Sequence, residues 1–469
     1  MRVRHLGFIL LFAGILSACR DNVVVEPDVV SGGDTATNNW ILSNMKYWYY
    51  WNDKIPANPD LSQKPADFFS SLLYKYDAAT RPDGDRFSWI QESADELKAS
   101  LSGESKTTGM HYKLYYYPKN TTNVIGVVLY ALPDSPAAKA GIKRGDVFTG
   151  INNQPLTAAN YSALLATPGT LTYTLGSIND EGIVTETAIK KEVTPVVFQE
   201  DPVHFDTVFQ YGANKVGYIV YHQFFPSPNG STSKQYDLKL ESIFAGFKAK
   251  NVNALILDLR YNGGGYVSSS TNLASLIGKV TANDVFYYKE YNKTVTPILE
   301  KQYGAAFFYD KFQSKPQNIG SNLNNLVILT SGNTASASEL LINGLKPFMN
   351  VTLVGSKTYG KNVGSITISD DKNKIKWGLQ PIVTKSFNSL KQSDYSVGFT
   401  PDIPVAETMK LYAYGNPKDP LLGEALLKIV GTRVTREAQG QPKPGTENFK
   451  EIGSSVTGKA GGSNMFFDK

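Results

Sequence analysis

Leu326-Val327-Ile328-Leu329-Thr330-Ser331-Gly332-Asn333-Thr334-Ala335-Ser336-Ala337-Ser338-Glu339-Leu340 decides the reading of this chain of 469 residues. The run from Asn325 to Thr330 is apolar without alternation, the pattern of a strand covered on both faces. Gly332 and Asn333 suit a tight turn, and Ser336 to Leu345 reads as a helix. A buried strand, a sharp turn and a helix in that order place Ser336 at the helix mouth. There its hydroxyl projects at the edge of the sheet, as in other strand-to-helix nucleophile turns. The first-turn N–H groups add positive potential toward a developing oxyanion. A serine in that place is also an ordinary helix cap, so this segment alone leaves capping and catalysis both open.

The neighbouring segments build outward from it. Val351-Thr352-Leu353-Val354-Gly355-Ser356-Lys357-Thr358-Tyr359-Gly360-Lys361 reads as a strand followed by a glycine-punctuated loop with two lysines. A lysine can act as base for a serine only when neutral. Burial in an apolar pocket favours that form, and a Ser–Lys pair is one known variant of the serine-nucleophile design. Val216 to Tyr221 and Ala254 to Leu259 read as further strands. Leu240, Ile243, Phe244 and Phe247 recur at helical spacing, so that helix has one buried face. Strands alternating with helices over 196–431 predict an α/β core with a partly parallel sheet.

Residues 107–195 change character. Val124 to Leu129 reads as a strand. After it, Leu132-Pro133-Asp134-Ser135-Pro136-Ala137-Ala138-Lys139-Ala140-Gly141-Ile142-Lys143-Arg144-Gly145-Asp146-Val147-Phe148 resembles a PDZ domain. Pro136 fits a first helical position, Gly141 a helix C-terminus, and Gly145-Asp146 a turn. A PDZ domain captures an extended peptide by strand addition and holds its terminal carboxylate on backbone N–H groups. Thr108-Gly109-Met110 is the candidate loop for that role.

Four ordered motifs then resemble the C-terminal processing peptidases, also called tail-specific proteases. They are Asp258-Leu259-Arg260-Tyr261-Asn262-Gly263-Gly264-Gly265, Thr334-Ala335-Ser336-Ala337-Ser338-Glu339, Gly355-Ser356-Lys357-Thr358-Tyr359-Gly360-Lys361, and Gly398-Phe399-Thr400-Pro401-Asp402-Ile403. The resemblance implies a crotonase-like α/β protease core with a PDZ domain preceding or inserted in it. It implies Ser336 as nucleophile and Lys361 as base, at the family's usual separation, and makes Lys357 the lesser candidate. It further implies an oxyanion hole from the N–H groups of Ala337 and Gly264, with Asp258 and Arg260 shaping the loop. The chemistry it implies is cleavage near the C-terminal tails of unstructured or exported proteins through an acyl-enzyme, with no metal and no cofactor. Many members carry Gln four residues beyond the lysine. Ser365 stands there in this chain, so Ser365 and Glu339 are both candidates to orient the base.

At the start of the chain, Arg2 and Arg4 precede an apolar run, Leu6 to Leu16, too short to span a bilayer comfortably. Leu16-Ser17-Ala18-Cys19 resembles a bacterial lipobox, with Cys19 as the lipidated residue, so residues 1–19 are expected to be a lipoprotein signal. Arg20 does not argue for inner-membrane retention, and the expected location is the cell envelope, with the chain anchored to a bacterial membrane (the outer one) and facing the periplasm or cell surface. An ordinary cleaved signal with an incidental cysteine is the alternative. Cys19 is the sole cysteine. Residues 20–38 are polar and expected to form a flexible tether. The aromatic clusters of 39–106 (Trp40, Met45, Tyr47, Trp48 and Trp51, then Phe68, Phe69, Leu72 and Leu73) predict short helices packed on each other. Residues 432–469, rich in Gly, Lys, Pro and Ser, are expected to be a disordered tail.

Apolar residues make up 41% and charged residues 19%, so the chain is neither broadly disordered nor fibrous. A net charge of +5 without a dense basic run gives no case for nucleic acid. Gly263-Gly264-Gly265 lacks the spacing of a dinucleotide fingerprint. Of the histidines, His5 leaves with the signal, and His111, His204 and His222 are not paired at metal-ligand spacing. Two rival readings stand beside the peptidase: a noncatalytic PDZ-type peptide-binding lipoprotein, and a Ser–His hydrolase that uses His222. The expected partners are peptide or protein C-terminal tails and, through the anchor, a membrane.

Overall fold

The strand Asn325–Thr330 lies inside a sheet whose order is Val203–Tyr211, Asn214–Tyr221, Ala254–Asp258, Asn325–Thr330, Val351–Gly355 and Ile403–Pro404. The neighbours from Asn214–Tyr221 onward pair in parallel. In this computed structural model the described residues are 33–372, 374–435, 448–457 and 465–466. The expected signal with Cys19, and residues 20–32 of the expected tether, lie outside them.

Every residue of Ala254–Asp258 is buried, and successive side chains enter different cores. Leu255 and Leu257 join the cluster under the helices Gln235–Ala249, Val267–Ile277 and Ala337–Leu345. Ala254 and Ile256 join the cluster under the helix Pro420–Val430. That two-sided burial is why these strands read as unbroken apolar runs rather than alternating ones. Parallel pairing brings the carboxyl ends of three strands to one edge. The loops they feed are 259–265, 331–336 and 356–361, which carry Gly264, Ser336 and Lys361, with Ala337 following at the start of the helix. Open α/β sheets place their sites at that edge.

The expected PDZ region forms its own sheet, ordered Met110–Tyr116, Val124–Ala131, Val147–Ile151, Leu171–Ile178 and Val184–Val193. Ser135 caps the short helix Pro136–Lys139 by accepting from the Ala138 N–H at 3.3 Å, and Gly141 closes it at φ +81°.

The region 39–106 does contain helices packed on each other, Gly33–Trp48 and Pro65–Ser71, over a shared aromatic core. It also extends into short strands, Trp89–Gln91 and Glu104–Thr107. Two expectations need correction. The first helix begins at Gly33, so 33–38 is not tether: Asn38 is fully buried and its amide donates to the Leu61 and Gln63 carbonyls at 2.9 and 2.7 Å. The polar composition that suggested a tether is a helix N-terminus whose one inward residue is held by hydrogen bonds. Nor is the tail disordered in its described parts. Lys450–Ser454 and Met465–Phe466 are strands in the PDZ sheet and in a second core sheet. Composition did not signal them because these short segments become strands through the edges they pair with.

Behind the nucleophile edge, Arg260 is fully buried among carboxylates. It reaches Asp258 at 3.0 Å, Asp419 at 2.8 Å and Glu407 at 3.0 Å. Arg144 of the PDZ region joins the same Glu407 and Asp419 at 2.9 and 3.3 Å. Burial opposes ionisation of Asp419, but the two guanidinium groups outweigh it and hold the carboxyl below its ordinary range. The network shapes the 258–265 loop and pins the PDZ region to the core. Arg260→Met strips buried Asp258 of its guanidinium and leaves Glu407 and Asp419 to share Arg144, and the expected loss is about 3–5 kcal/mol, read as a lower thermal midpoint at pH 7.

Candidate active site

Ser336 sits where the buried strand turns into the helix Ala337–Leu345, at φ +63° and ψ −113°. A residue with a side chain in that region stores backbone strain of about 1–3 kcal/mol. The turn is held from below: Thr334 Oγ1 donates to the Leu259 carbonyl at 2.8 Å, the Ala335 N–H to the Asn262 carbonyl at 3.1 Å, and Ser331 Oγ to the Arg260 carbonyl. The two loops are therefore one unit, which explains why the Asp258 and Thr334 motifs occur together.

Lys361 arrives from the other side. Gly360, at φ +93°, lies so close to the 396–398 backbone that a Cβ would stand 2.6 Å from the Ser396 oxygen and the Gly398 nitrogen. The Gly398-Phe399 motif closes the same loop: the Thr358 N–H donates to the Phe399 carbonyl at 3.1 Å, and the Phe399 N–H to Thr358 Oγ1 at 2.7 Å.

Glu339 joins nucleophile and base. Its fully buried carboxylate accepts from the Thr358 hydroxyl (2.6 Å), the Gly360 N–H (2.8 Å), the Lys361 N–H (2.8 Å) and the Ser336 N–H (2.9 Å). One oxygen, Oε2, takes the last two. Ser336 and Lys361 thus stand on adjoining backbone, held to a single atom. Burial raises the Glu339 pKa even though four hydrogen bonds favour the charged form.

Both side chains are fully buried. Burial pulls the Lys361 pKa down to about 7, against the opposing pull of Asp85 and Glu339. Lys357 is exposed and has no such pocket. The Ser336 hydroxyl makes no hydrogen bond among the described residues.

The lysine pocket has a wall that sequence reading missed. The Phe87 ring lies 4.8 Å from Lys361 Nζ, and Arg86 donates to the Gly360 and Ser396 carbonyls, both at 2.8 Å. The signal was Asp85-Arg86-Phe87, a charged and aromatic triplet after a glycine turn, in a region read only as helices. Phe87→Ala would admit water to the amine. The expected result is an acidic limb of kcat/KM moved up by about one pH unit, visible in a pH–rate profile.

Ala337 opens the helix, so its N–H is a first-turn donor without an intrahelical acceptor. The Gly264 N–H, the other expected oxyanion donor, is engaged instead: it donates to Asn262 Oδ1 at 2.8 Å. Ser365 Oγ accepts from Gln380 at 2.9 Å and donates to the Met465 carbonyl at 3.2 Å. Glu339 is the candidate orienter that touches the base's own backbone. His222 is buried in a ring cluster, with its centroid 3.9 Å from Tyr130 and 4.8 Å from His204. In the Thr108-Gly109-Met110 loop, the carbonyls of Thr108 and Gly109 accept from Ala137 and Leu132 at 3.0 and 2.8 Å, so the loop is fixed to the capped PDZ helix.

Residues 215–405 match the family model of Peptidase family S41, residues 36–89 that of the Peptidase S41 N-terminal domain, and residues 127–174 that of a PDZ domain. Over 375 residues the chain is 28% identical to carboxyl-terminal-processing peptidase 2, chloroplastic, of Arabidopsis thaliana, covering 78% of this chain and 65% of that relative. Over 401 residues it is 25% identical to the carboxyl-terminal-processing protease of a Picosynechococcus species, covering 84% of this chain and 83% of the relative. Among solved structures, a putative S41 protease from Bacteroides fragilis superposes with a TM-score of 0.69 at 26% identity, covering 84% of this chain and 97% of that one.

Proposed function

The chain belongs to peptidase family S41, and from that premise we propose that it is a serine endopeptidase that cuts near the C-terminal tails of unstructured or exported proteins with a Ser336–Lys361 dyad. The observation that supports this is the shared Glu339 oxygen, which accepts from the backbone N–H groups of a strained serine and of a fully buried lysine. Neutral Lys361 takes the Ser336 proton as the hydroxyl oxygen attacks the peptide carbonyl. The oxyanion forms at the mouth of the Ala337 helix, with the Gly264 N–H as second donor once Asn262 releases it. Lys361 returns the proton to the leaving amine, and water then cleaves the ester. The PDZ region supplies a strand edge for an extended peptide.

The test is incubation of the chain with an unstructured peptide bearing a free C-terminal carboxylate, with products identified by mass. Internal cleavage supports the peptidase. Saturable binding without cleavage would instead support the noncatalytic peptide-binding reading.

The lipobox-like Leu16-Ser17-Ala18-Cys19 supports lipid anchoring at Cys19 to a bacterial envelope membrane. Among the described residues no helix is long and apolar enough to cross a membrane. Metabolic labelling with a radioactive fatty acid is expected to mark the chain, and Cys19→Ala to abolish the label; label retained in that variant would refute the anchor.

A further inference from the structure

The tail that composition assigned to disorder lies on both peptide-handling surfaces of the molecule. Lys450–Ser454 pairs antiparallel with Met110–Tyr116, Lys450 opposite Tyr116 and Ser454 opposite Lys113. Pairing continues past the strand: the Ser455 N–H donates to the Tyr112 carbonyl at 3.0 Å, and the Tyr112 N–H to Ser455 Oγ at 2.9 Å. As the tail advances, its partners run backward from Tyr116 to Tyr112, toward the Thr108-Gly109-Met110 loop. A peptide added to this edge with its C-terminus at that loop runs in the same direction. Side chains anchor it: Phe449 packs on Tyr115 and Tyr117, and Val456 is buried with Tyr130 and Tyr261. A cavity of about 370 Å³, lined by Thr108, Met110, Leu132, Leu165 and Tyr173, lies beside Ser455.

The second contact is with the two strands that follow the oxyanion loop and the base. Met465–Phe466 pairs in parallel with Gly265–Tyr266, the strand after the oxyanion loop, and Phe466 pairs with Ser365 in Val363–Ser365, the strand after the base. Sheet order there is Gly265–Tyr266, Met465–Phe466, Val363–Ser365, so the tail backbone lies between the strand that follows the oxyanion loop and the strand that follows the base. Met465 is fully buried. Ser365 Oγ donates to its carbonyl, and Ser386 Oγ contacts its sulfur at 3.4 Å.

We propose that the chain's own C-terminal segment is an intramolecular ligand of both surfaces, and that other peptides bind only by displacing it. The inference rests on the functional reading for the meaning of the second contact, but the strand on the PDZ edge stands without it. A tethered ligand acts at an effective concentration on the order of millimolar, so a tail with micromolar intrinsic affinity for these sites weakens the binding of any free peptide by a factor of about 10³.

The test uses the full chain in a Ser336→Ala background, so that binding is read without cleavage. A fluorescent synthetic peptide of residues 448–469 is titrated by anisotropy. The double substitution Ile452→Asp and Met465→Asp is expected to tighten its binding at least tenfold relative to the single Ser336→Ala chain. A second full-chain variant guards against misfolding: Lys113→Cys with Ser454→Cys, carrying Cys19→Ser, joins residues that face each other across the two strands. Oxidised, it is expected to bind the peptide at least tenfold more weakly than after reduction. Equal affinity in the oxidised and reduced states, or no gain in a folded double variant, would overturn the proposal. A chain that shows these binding differences but cleaves nothing when Ser336 is present would overturn the peptidase reading and leave the tail assignment standing.

Discussion

Ser336→Ala is expected to lower kcat for peptide cleavage by at least about 10⁴-fold, the usual scale for losing a serine nucleophile, while peptide affinity stays within about threefold. The physical ground is local. The Ser336 N–H to Glu339 bond and the Thr334 and Ala335 contacts that hold the turn involve backbone or neighbouring residues, so alanine removes the hydroxyl and leaves the loop. Circular dichroism and thermal midpoint should match the unsubstituted chain. A variant that retained most of its kcat would mean that another group attacks, and His222→Ala then becomes the informative substitution.

Lys361→Met is expected to be as damaging to kcat and, unlike the serine change, to stabilise the fold. A lysine whose pKa falls from 10.5 to about 7 on burial is protonated more readily in the unfolded chain than in the folded one. Between those pH values the unfolded state binds more protons, so stability from this group rises with pH, and the cost of burial is greatest below about pH 7. Methionine fills similar volume and carries no charge. The stability gap in favour of Lys361→Met should be roughly 3–5 kcal/mol near pH 7 and shrink toward pH 10. Denaturant melts of both proteins at pH 6.5 and 9.5 measure it. A gap that did not narrow with pH would mean that Lys361 is not the buried neutral amine described above.

Much of this was legible because the core obeys local rules. Asn325–Thr330 and Val351–Gly355 have the bounds expected of fully covered strands, and Ala254–Asp258 ends one residue earlier than its apolar run. Ser336 sits at the mouth of its helix because a glycine turn must follow a strand that ends at a sheet edge. What could not be read were contacts between distant segments. Phe87 and Arg86 meet the base from more than 270 positions away, and no periodicity signals that. A local contact was hidden too: Asn262 competes for the Gly264 N–H two residues on through a side chain whose rotamer no motif specifies. The tail misled because strand pairing depends on the partner edge: Lys-Glu-Ile-Gly-Ser has little strand character alone and gains it from Met110–Tyr116. Ser365 took a different partner for the same reason, since Met465 reaches it from 100 positions on.

The central claim is that a neutral Lys361 activates Ser336, and the rate of covalent labelling by a serine-reactive acylating probe tests it most directly. Modification should map to Ser336, its rate constant should rise with pH to a plateau with a midpoint near 7, and that rise should vanish in Lys361→Met. Modification at another residue, or a Ser336 rate that is flat across pH 5–9 and unchanged by Lys361→Met, would contradict the account.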